Sequence, residues 1–174
     1  MRFILFDERQ KEENKKRLYK ILSDSDEEFV PPLSQRLTTT QSLLNGQSKS
    51  HGIDNYFSAM MQQDGLGIIL DGELNGYISF IKDYNNEEIA GLESPNLYVS
   101  TVILTPSCRG KNVTRQAYEY LFNELFPNRT VYTRTWSTNI AHIKILRSFN
   151  FSQMLVKEND RGSGIDTVYY QLKR

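Results

Sequence analysis

Apolar residues in the first third of the chain recur at helical spacing, which predicts a helical N-terminal region. Helices are predicted over residues 8–22, 34–44 and 53–63, after one short strand at 2–6. The acidic run at 23–28 and the Pro31-Pro32 pair that follows it end the first helix. A polar loop over 47–52 separates the second helix from the third.

Beyond residue 65 the pattern changes to short apolar runs rich in β-branched and aromatic residues, which are typical of strands. The segment D-G-E-L-N-G lies between the first two runs and predicts a hairpin. Two stretches with helical periodicity, 113–126 and 139–149, interrupt the later runs. The strands are predicted at 66–70, 77–81, 97–104, 130–136, 151–157 and 167–172. This order predicts a single α+β domain over residues 1–174 with a mixed sheet.

Composition narrows the class of protein. The chain has 174 residues with 21 basic and 21 acidic side chains, a balance that gives no support to nucleic-acid or anionic-membrane binding. The single Cys108 excludes an internal disulfide and fits a reducing compartment. No apolar stretch approaches the length of about 20 residues that a membrane span needs. We therefore expect a soluble, cytoplasmic protein. Its two histidines and one cysteine lack metal-ligand spacing, so no metal is expected.

Candidate chemistry is concentrated in residues 102–114, V-I-L-T-P-S-C-R-G-K-N-V-T. An apolar strand ends at a proline, a tight Arg-Gly-Lys turn follows, and a helix begins. This layout points backbone N–H groups and a helix N-terminus toward a phosphate. The segment therefore predicts a phosphate-bearing cofactor at the tip of a strand.

Two motifs in this order resemble the GNAT superfamily of acetyl-CoA-dependent N-acetyltransferases. In the first, L-T-P followed by R-G-K-N-V-T resembles the family pattern R/Q-x-x-G-x-G/A, with Asn112 and Thr114 in place of two glycines. Asn tolerates a left-handed backbone and is expected to keep the turn, whereas the branched Cβ of Thr114 would crowd a pyrophosphate. The second motif, N-I-A-H-I-K-I-L-R-S-F-N-F at 139–151, resembles N-x-x-A-x-x-L-Y-x-K-x-G-F, with Leu146 at the tyrosine position. The resemblance covers nearly the whole chain and implies a mostly antiparallel central sheet flanked by helices.

The resemblance implies direct transfer of an acetyl group from acetyl-CoA, as cosubstrate, to a primary amine. Backbone N–H groups of the glycine turn and the following helix would bind the pyrophosphate, and the free strand edge would pair with the pantetheine arm. The N–H group near Leu104 would stabilise the thioester oxyanion, a contribution of about 3–4 kcal/mol. Asn139 would hold the pantetheine arm from the far side or, equally, cap the helix that it precedes. The implied cofactor-binding residues are Ile103, Leu104, Arg109, Gly110, Lys111, Asn112, Val113, Thr114 and Asn139.

The proton-transfer groups are less clearly indicated by the sequence. The strand position where family members often carry a carboxylate is Tyr98, which is not a base at neutral pH. It is expected to line a substrate pocket or hold a water molecule together with Ser100. Glu93 is a candidate base, with a solvated loop carboxylate as the alternative. His142 is read as a packing residue, with a catalytic role as the less favoured alternative. Otherwise a water relay or solvent would carry the protons.

The acceptor is an amine on a small molecule or on a protein, and the sequence leaves that choice open. The acidic run at 24–28 would favour a cationic amine if the region between the first helices covers the acceptor site, as it often does in the family. The altered glycines and the missing tyrosine favour a different class, a catalytically weak acyl-CoA-binding or regulatory module. A third alternative is a structural interaction domain with no acyl-CoA affinity. Because family members commonly dimerise, a homodimer is also allowed.

Overall fold

One seven-stranded sheet organises the protein, whose computed structural model describes residues 1–45, 52–87 and 89–174. The strands follow in the order β1-β2-β3-β4-β5-β7-β6, and every neighbouring pair is antiparallel except β4 with β5. This arrangement confirms the predicted α+β class with a mixed, mostly antiparallel sheet. The strands are β1 (Arg2–Phe6), β2 (Asp64–Leu70), β3 (Glu73–Lys82), β4 (Asn96–Leu104), β5 (Thr130–Trp136), β6 (Ser152–Lys157) and β7 (Thr167–Leu172).

Helices cover both faces of the sheet, so that each face has its own apolar core. The α-helices are α1 (Glu8–Glu13), α2 (Lys15–Asp24), α3 (Asp54–Met61), α4 (Val113–Glu119) and α5 (Ile140–Ser148). Buried residues of α2 and α3, such as Leu22 and Tyr56, pack on one face. Buried residues of α4 and α5, such as Ala117 and Leu146, pack on the other face. Because the apolar stripes of the helices match the two apolar sheet faces, the sheet is buried between two layers.

The predicted hairpin between β2 and β3 is confirmed, with longer strands than the sequence indicated. Its turn contains only Asp71 and Gly72, which have φ angles of 52° and 84°. Positive φ at both central positions is the geometry that two-residue hairpins require, and Asp-Gly is a preferred pair for it. The remaining residues of the turn segment therefore join β3.

The predicted helix over 34–44 is wrong. Only Leu33–Gln35 forms a single 3₁₀ turn, and the chain beyond it is irregular. The Gln41 side chain accepts a hydrogen bond from the N–H of Leu37 and donates one to the carbonyl of Leu43, so side-chain bonds replace helical ones. Three consecutive threonines in this stretch also disfavour a helix.

Two further helices differ in detail from the sequence prediction. The helix predicted over 8–22 is divided at Asn14, whose side chain donates to the carbonyl of Gln10 and leaves α1 and α2 as separate helices. The helix predicted over 113–126 begins as expected but continues as a π-helix over Tyr120–Leu125. The predicted loop over 47–52 lies outside the described residues except for Gly52.

Candidate active site

The two central parallel strands part halfway along their length. β4 and β5 pair only from Asn96 opposite Thr130 to Val99 opposite Thr133. Beyond that point β4 stays paired with β3, whereas β5 stays paired with β7 as far as Trp136. The facing edges of both strands therefore lack a neighbouring strand, and a wedge-shaped gap opens through the sheet between them.

A β-bulge in β4 marks the start of the gap. Val99 and Thr101 face consecutive residues of β3, so Ser100 is the extra residue. Because of the bulge, the side chains after Ser100 lie on the opposite faces from those that regular alternation would give. Val99 packs in the core beneath α4, and so do Val102 and Leu104, which are three and five residues further along. The family resemblance implied an N–H donor near Leu104 and a free strand edge, and in the structure the free edge of β4 begins at Ser100.

Backbone N–H groups of β4 point into the gap at alternate positions. The Thr105 N–H donates to the carbonyl of Asn75 at 2.8 Å, so this position is hydrogen-bonded to β3. Because such positions alternate in an antiparallel pair, the polar backbone groups of Leu104 and Val102 point away from β3. In agreement, the Leu104 carbonyl accepts a hydrogen bond of 3.2 Å from Arg109. β4 thus presents the N–H groups of Val102 and Leu104 to the gap, and the second is at the predicted position.

A cleft of about 260 Å³ occupies this gap. Both sheet faces and the segment after α2 contribute to it, so it passes through the sheet. Its walls include the predicted Ile103, Leu104, Arg109, Thr114 and Asn139. The other lining residues are Ser25, Glu28, Phe29, Val99, Ser100, Thr101, Val102, Thr133, Arg134, Thr135, Trp136, Ala141, His142 and Ile145.

The glycine turn has the backbone conformation that the sequence indicated. Gly110 and Asn112 have φ angles of 70° and 58°, both left-handed, and Asn112 immediately precedes α4. Asparagine therefore serves where the family pattern has glycine, as expected. The first N–H groups of α4, beginning at Val113, have no intrahelical partner by geometry and lie beside the cleft wall formed by Thr114.

The two predicted cationic residues of the turn are held differently. Arg109 forms an ion pair of 2.6 Å with Glu28, and both side chains are nearly half exposed. This pair spans the cleft, because Glu28 belongs to the segment after α2. Lys111 is exposed beside the turn. An anion at the turn would therefore meet one cation already paired with a carboxylate.

Asn139 caps α5 and lines the cleft at once. Its side-chain oxygen accepts the N–H of His142, and its amide nitrogen donates to the Thr135 hydroxyl at 3.1 Å. The capping role is therefore shown by the geometry. The Thr135 bond fixes the amide in the wall of the cleft, on the β5 side of the gap.

The structure does not bring Glu93 and Tyr98 into the cleft. Glu93 lies just before β4, at the end of that strand away from the gap. Its carboxylate is paired with Lys173 at 2.7 Å, and its N–H donates to the Tyr132 hydroxyl. Tyr98 is 1% exposed and stacks on Tyr84 with ring centroids 4.2 Å apart. Burial raises the pKa of Tyr98 above its ordinary value.

Ser100 lines the cleft, whereas Leu146 lies in the core. The Ser100 hydroxyl lies 2.8 Å from that of Ser79 because the bulge separates it from the face of Tyr98. Leu146, at the tyrosine position of the family motif, is fully buried in the core beneath α4. The side chain at this position therefore does not reach the cleft.

His142 lines the cleft but is held as a neutral imidazole. Its Nε2 atom lies 2.8 Å from the hydroxyl of fully buried Tyr118. Burial lowers the pKa of His142 to about 4. The ring is therefore uncharged at neutral pH and serves as a polar packing partner of Tyr118.

Sequence reasoning missed a group of three arginines at the cleft. Arg134 lines the cleft directly, and Arg36 and Arg161 lie behind its aromatic wall. The three residues are far apart in the sequence and belong to no motif. Only the fold of the irregular 36–44 segment and of the turn before β7 brings them together.

Across residues 1–45, 52–87 and 89–174, no helix has the length and apolar character that crossing a bilayer requires. In the same ranges, no three His, Cys, Asp or Glu side chains are grouped as a metal site would require.

Known structures share this fold across the whole chain. A ribosomal-protein-alanine N-acetyltransferase from Brucella melitensis has a TM-score of 0.66 at 14% identity, covering 100% of both chains. The yncA protein from Salmonella typhimurium, solved with its cofactor acetyl-CoA, has a TM-score of 0.65 at 16% identity, covering 99% of this chain and 93% of its own. An N-acetyltransferase from Staphylococcus aureus Mu50 gives 0.63 at 17% identity, with 99% and 97% coverage. No curated protein matches the sequence.

The sequence itself carries the family assignment, independently of these structures. The family described as acetyltransferase (GNAT) matches residues 16–151, which is most of the chain and includes the gap, the glycine turn and α5. The family match thus confirms the resemblance that the sequence indicated. The chain belongs to the GNAT acetyltransferase family.

Proposed function

We propose that the protein is an N-acetyltransferase that moves an acetyl group from acetyl-CoA to a primary amine by direct attack. The observation that carries the proposal is the gap beyond Val99 and Thr133, with free strand edges and a glycine turn at one end. The thioester and the flexible, amide-containing pantetheine arm of acetyl-CoA fit the gap, and the pyrophosphate at the end of that arm fits the glycine turn. The amine belongs to a small molecule or to a protein, in a cytoplasmic setting.

Backbone groups would supply most of the cofactor binding. The N–H groups of Val102 and Leu104 point into the gap and match the amides of a pantetheine arm lying along β4, next to Ile103. The left-handed turn and the start of α4 offer N–H groups and a positive helix end to the pyrophosphate. Asn139 would face the arm from the β5 side. The residues proposed at the pyrophosphate are Arg109, Gly110, Lys111, Asn112, Val113 and Thr114.

The chemical step needs an oxyanion donor more than a nucleophile on the protein. The amine lone pair attacks the thioester carbon, the oxygen becomes negative, and the C–S bond then breaks to release the CoA thiolate. An N–H group of β4 in the gap, with Leu104 as the predicted donor, would stabilise the oxyanion by about 3–4 kcal/mol. No covalent enzyme intermediate is required.

Proton transfer is proposed to run through water in the cleft. Glu93 lies outside the cleft, Tyr98 is buried, and neutral His142 is bound to Tyr118. Ser100 lies where the strands part, and the backbone groups of Val102 that point into the gap would offer hydrogen bonds to a water molecule there. This arrangement favours an amine that is already partly deprotonated at the working pH.

Release of the CoA thiol during incubation with acetyl-CoA and a panel of amines tests the proposal. Release that depends on the amine, together with the mass of the acetylated product, is the expected result. Binding of acetyl-CoA without turnover on any amine would instead favour the weak acyl-CoA-binding module. Absence of binding would leave only an interaction domain.

A further inference from the structure

Three guanidinium groups come together at the cleft wall that contains Phe29 and Trp136, and among the described residues none of them is paired with a carboxylate. Arg36 and Arg161 are 4% and 6% exposed, and Arg134 is half-buried in the cleft wall. The carbonyl oxygen of Val30 accepts hydrogen bonds from two of them, at 3.1 Å from Arg36 and at 2.6 Å from Arg161. Two like charges thus share one neutral oxygen atom.

The remaining hydrogen bonds of the three side chains also go to neutral groups. Arg36 donates to the carbonyl of Pro31, and Arg161 donates to the Thr167 hydroxyl. Arg134 donates to the Tyr169 hydroxyl at 3.1 Å and, at 3.3 Å, to the Thr39 carbonyl. Over residues 1–45, 52–87 and 89–174, none of the three forms an ion pair with a carboxylate.

Aromatic rings separate two of these charges from the cleft. The Arg36 guanidinium lies 5.5 Å from the Phe29 ring, and that of Arg161 lies 5.7 Å from the Trp136 ring. The two rings are 5.7 Å apart, and both line the cleft. Cation–π contact offsets part of the burial penalty but adds no negative charge. Arg134 is therefore the member of the group that meets a ligand in the cleft, with two more charges behind the rings.

Two acidic side chains, Asp160 and Asp26, interact electrostatically with Arg161 and Arg36, but among the described residues they form no ion pair with the group. Asp160 accepts the Thr167 hydroxyl and the N–H of Leu44, and Asp26 accepts the N–H of Ser34. Burial, together with the neighbouring guanidiniums, lowers the pKa of Arg36 to about 10 and the pKa of Arg161 to about 9. A buried cluster of like charges of this kind is stabilised when an anion binds.

We propose that the acceptor carries a carboxylate besides its reacting amine, and that Arg134 binds this carboxylate in the cleft while Arg36 and Arg161 add positive potential from behind Phe29 and Trp136. This inference names the substrate class of the proposed transferase and therefore rests on the proposed function. The pyrophosphate of the cofactor is assigned to the glycine turn, where α4 begins, so it does not account for the charge at Arg134. Arginine favours a carboxylate because its planar fork donates two parallel hydrogen bonds. The acceptor is thus a small amino carboxylate.

The fluorescence of Trp136 reports on this place without any acetyl transfer, because it is the only tryptophan and lines the cleft. The protein is titrated with α- and ω-amino carboxylates, each beside its decarboxylated amine and its methyl ester. We expect at least one amino carboxylate to change the Trp136 fluorescence saturably. Its affinity should be about tenfold or more above that of its matched amine and ester. Equal responses to the acid, the amine and the ester would overturn the proposal.

Variants assign the response to the arginine. Arg134→Met is expected to lose about tenfold or more in carboxylate affinity, while Arg134→Lys loses less because it keeps the charge. Arg9→Met on exposed α1 is the matched control and should bind as the parent does. If Arg134→Met destabilises the fold, Arg161→Met, titrated below its unfolding transition, gives the second measurement, because it removes one of the positive charges behind the rings and should also weaken carboxylate binding. Carboxylate binding unchanged in both variants would contradict the assignment.

These titrations, compared with the acetylation assay, distinguish this inference from the proposed function. If the protein binds carboxylates but neither binds acetyl-CoA nor acetylates amines, the proposed transferase function is wrong and the anion site is retained. Efficient acetylation of amines without a carboxylate, at the rates of their acidic counterparts, would overturn the anion site alone. A phosphonate analogue that binds more tightly than the carboxylate would overturn the choice of carboxylate.

Discussion

The Thr133 hydroxyl donates a hydrogen bond of 2.9 Å to the carbonyl oxygen of Val99, at the last position where β4 and β5 pair. This bond closes the apex of the gap. Below it the strands form an ordinary parallel pair, and above it each edge is free. This contact therefore marks the point from which the cleft widens.

Thr133→Val is expected to lower the free energy of unfolding by about 1 kcal/mol, because the Val99 carbonyl loses a buried donor while the volume stays the same. The loss should appear in urea denaturation. We also expect weaker acetyl-CoA binding, since the apex of the gap is less well fixed. Thr133→Ser keeps the hydroxyl and should restore the cofactor affinity. A Val variant with parental stability and affinity would contradict the structural role of the bond.

Gly110→Ala is expected to weaken acetyl-CoA binding by about tenfold or more, because backbone hydrogen bonds to the pyrophosphate depend on the turn. Gly72→Ala is its matched control: both glycines have positive φ, and an added Cβ meets no protein atom within 4 Å at either place. Both variants should therefore lose similar stability. Isothermal titration should separate them, and equal cofactor affinities would refute the assignment of the phosphate turn.

Glu28→Gln is expected to increase acetyl-CoA affinity by about two- to fivefold, because it releases Arg109 from a partly exposed ion pair. Arg109→Gln should change affinity in the opposite direction, since it removes the cation itself. Raising the salt concentration should reduce the difference between the variants. Weaker binding in Glu28→Gln would mean that the carboxylate itself holds the cofactor or its loop.

Acid should destabilise the protein through His142. Burial holds its folded-state pKa near 4, below the value of about 6.5 expected in the unfolded chain. Between these values the unfolded state binds the extra proton, so stability falls as the pH falls, by at most about 1.4 kcal/mol per pH unit from this group. His142→Gln should remove that slope in urea denaturation at pH 4.5–6.5. An unchanged slope would place the titration elsewhere.

Periodicity and local motifs predicted most of the sheet, because each strand is a compact apolar run bounded by turn residues. Thr130–Trp136 and Thr167–Leu172 have the predicted bounds. The helix over 34–44 was predicted wrongly because leucine spacing there resembles a helix, while the Gln41 side chain bonds to the backbone instead. Local pattern does not reveal that competition.

The sequence could predict those parts of the site that depend on the local backbone conformation, but not those that depend on contacts between distant segments. The turn at Gly110 and Asn112 follows from residue types that accept positive φ. The arginines of the cleft, by contrast, are Arg36, Arg134 and Arg161, which come from separate segments of the chain, and their meeting depends on the whole fold. Glu93 looked available from its place before β4, but its ion pair with Lys173 involves the far end of the chain.

Isothermal titration of the purified protein with acetyl-CoA, and separately with CoA, tests the central claim most directly. The gap and the glycine turn predict saturable binding of both in the micromolar range, because most of the proposed contacts are to the pantetheine and pyrophosphate that the two ligands share. Heats that show no binding up to millimolar ligand would contradict the account and would turn the search toward protein partners.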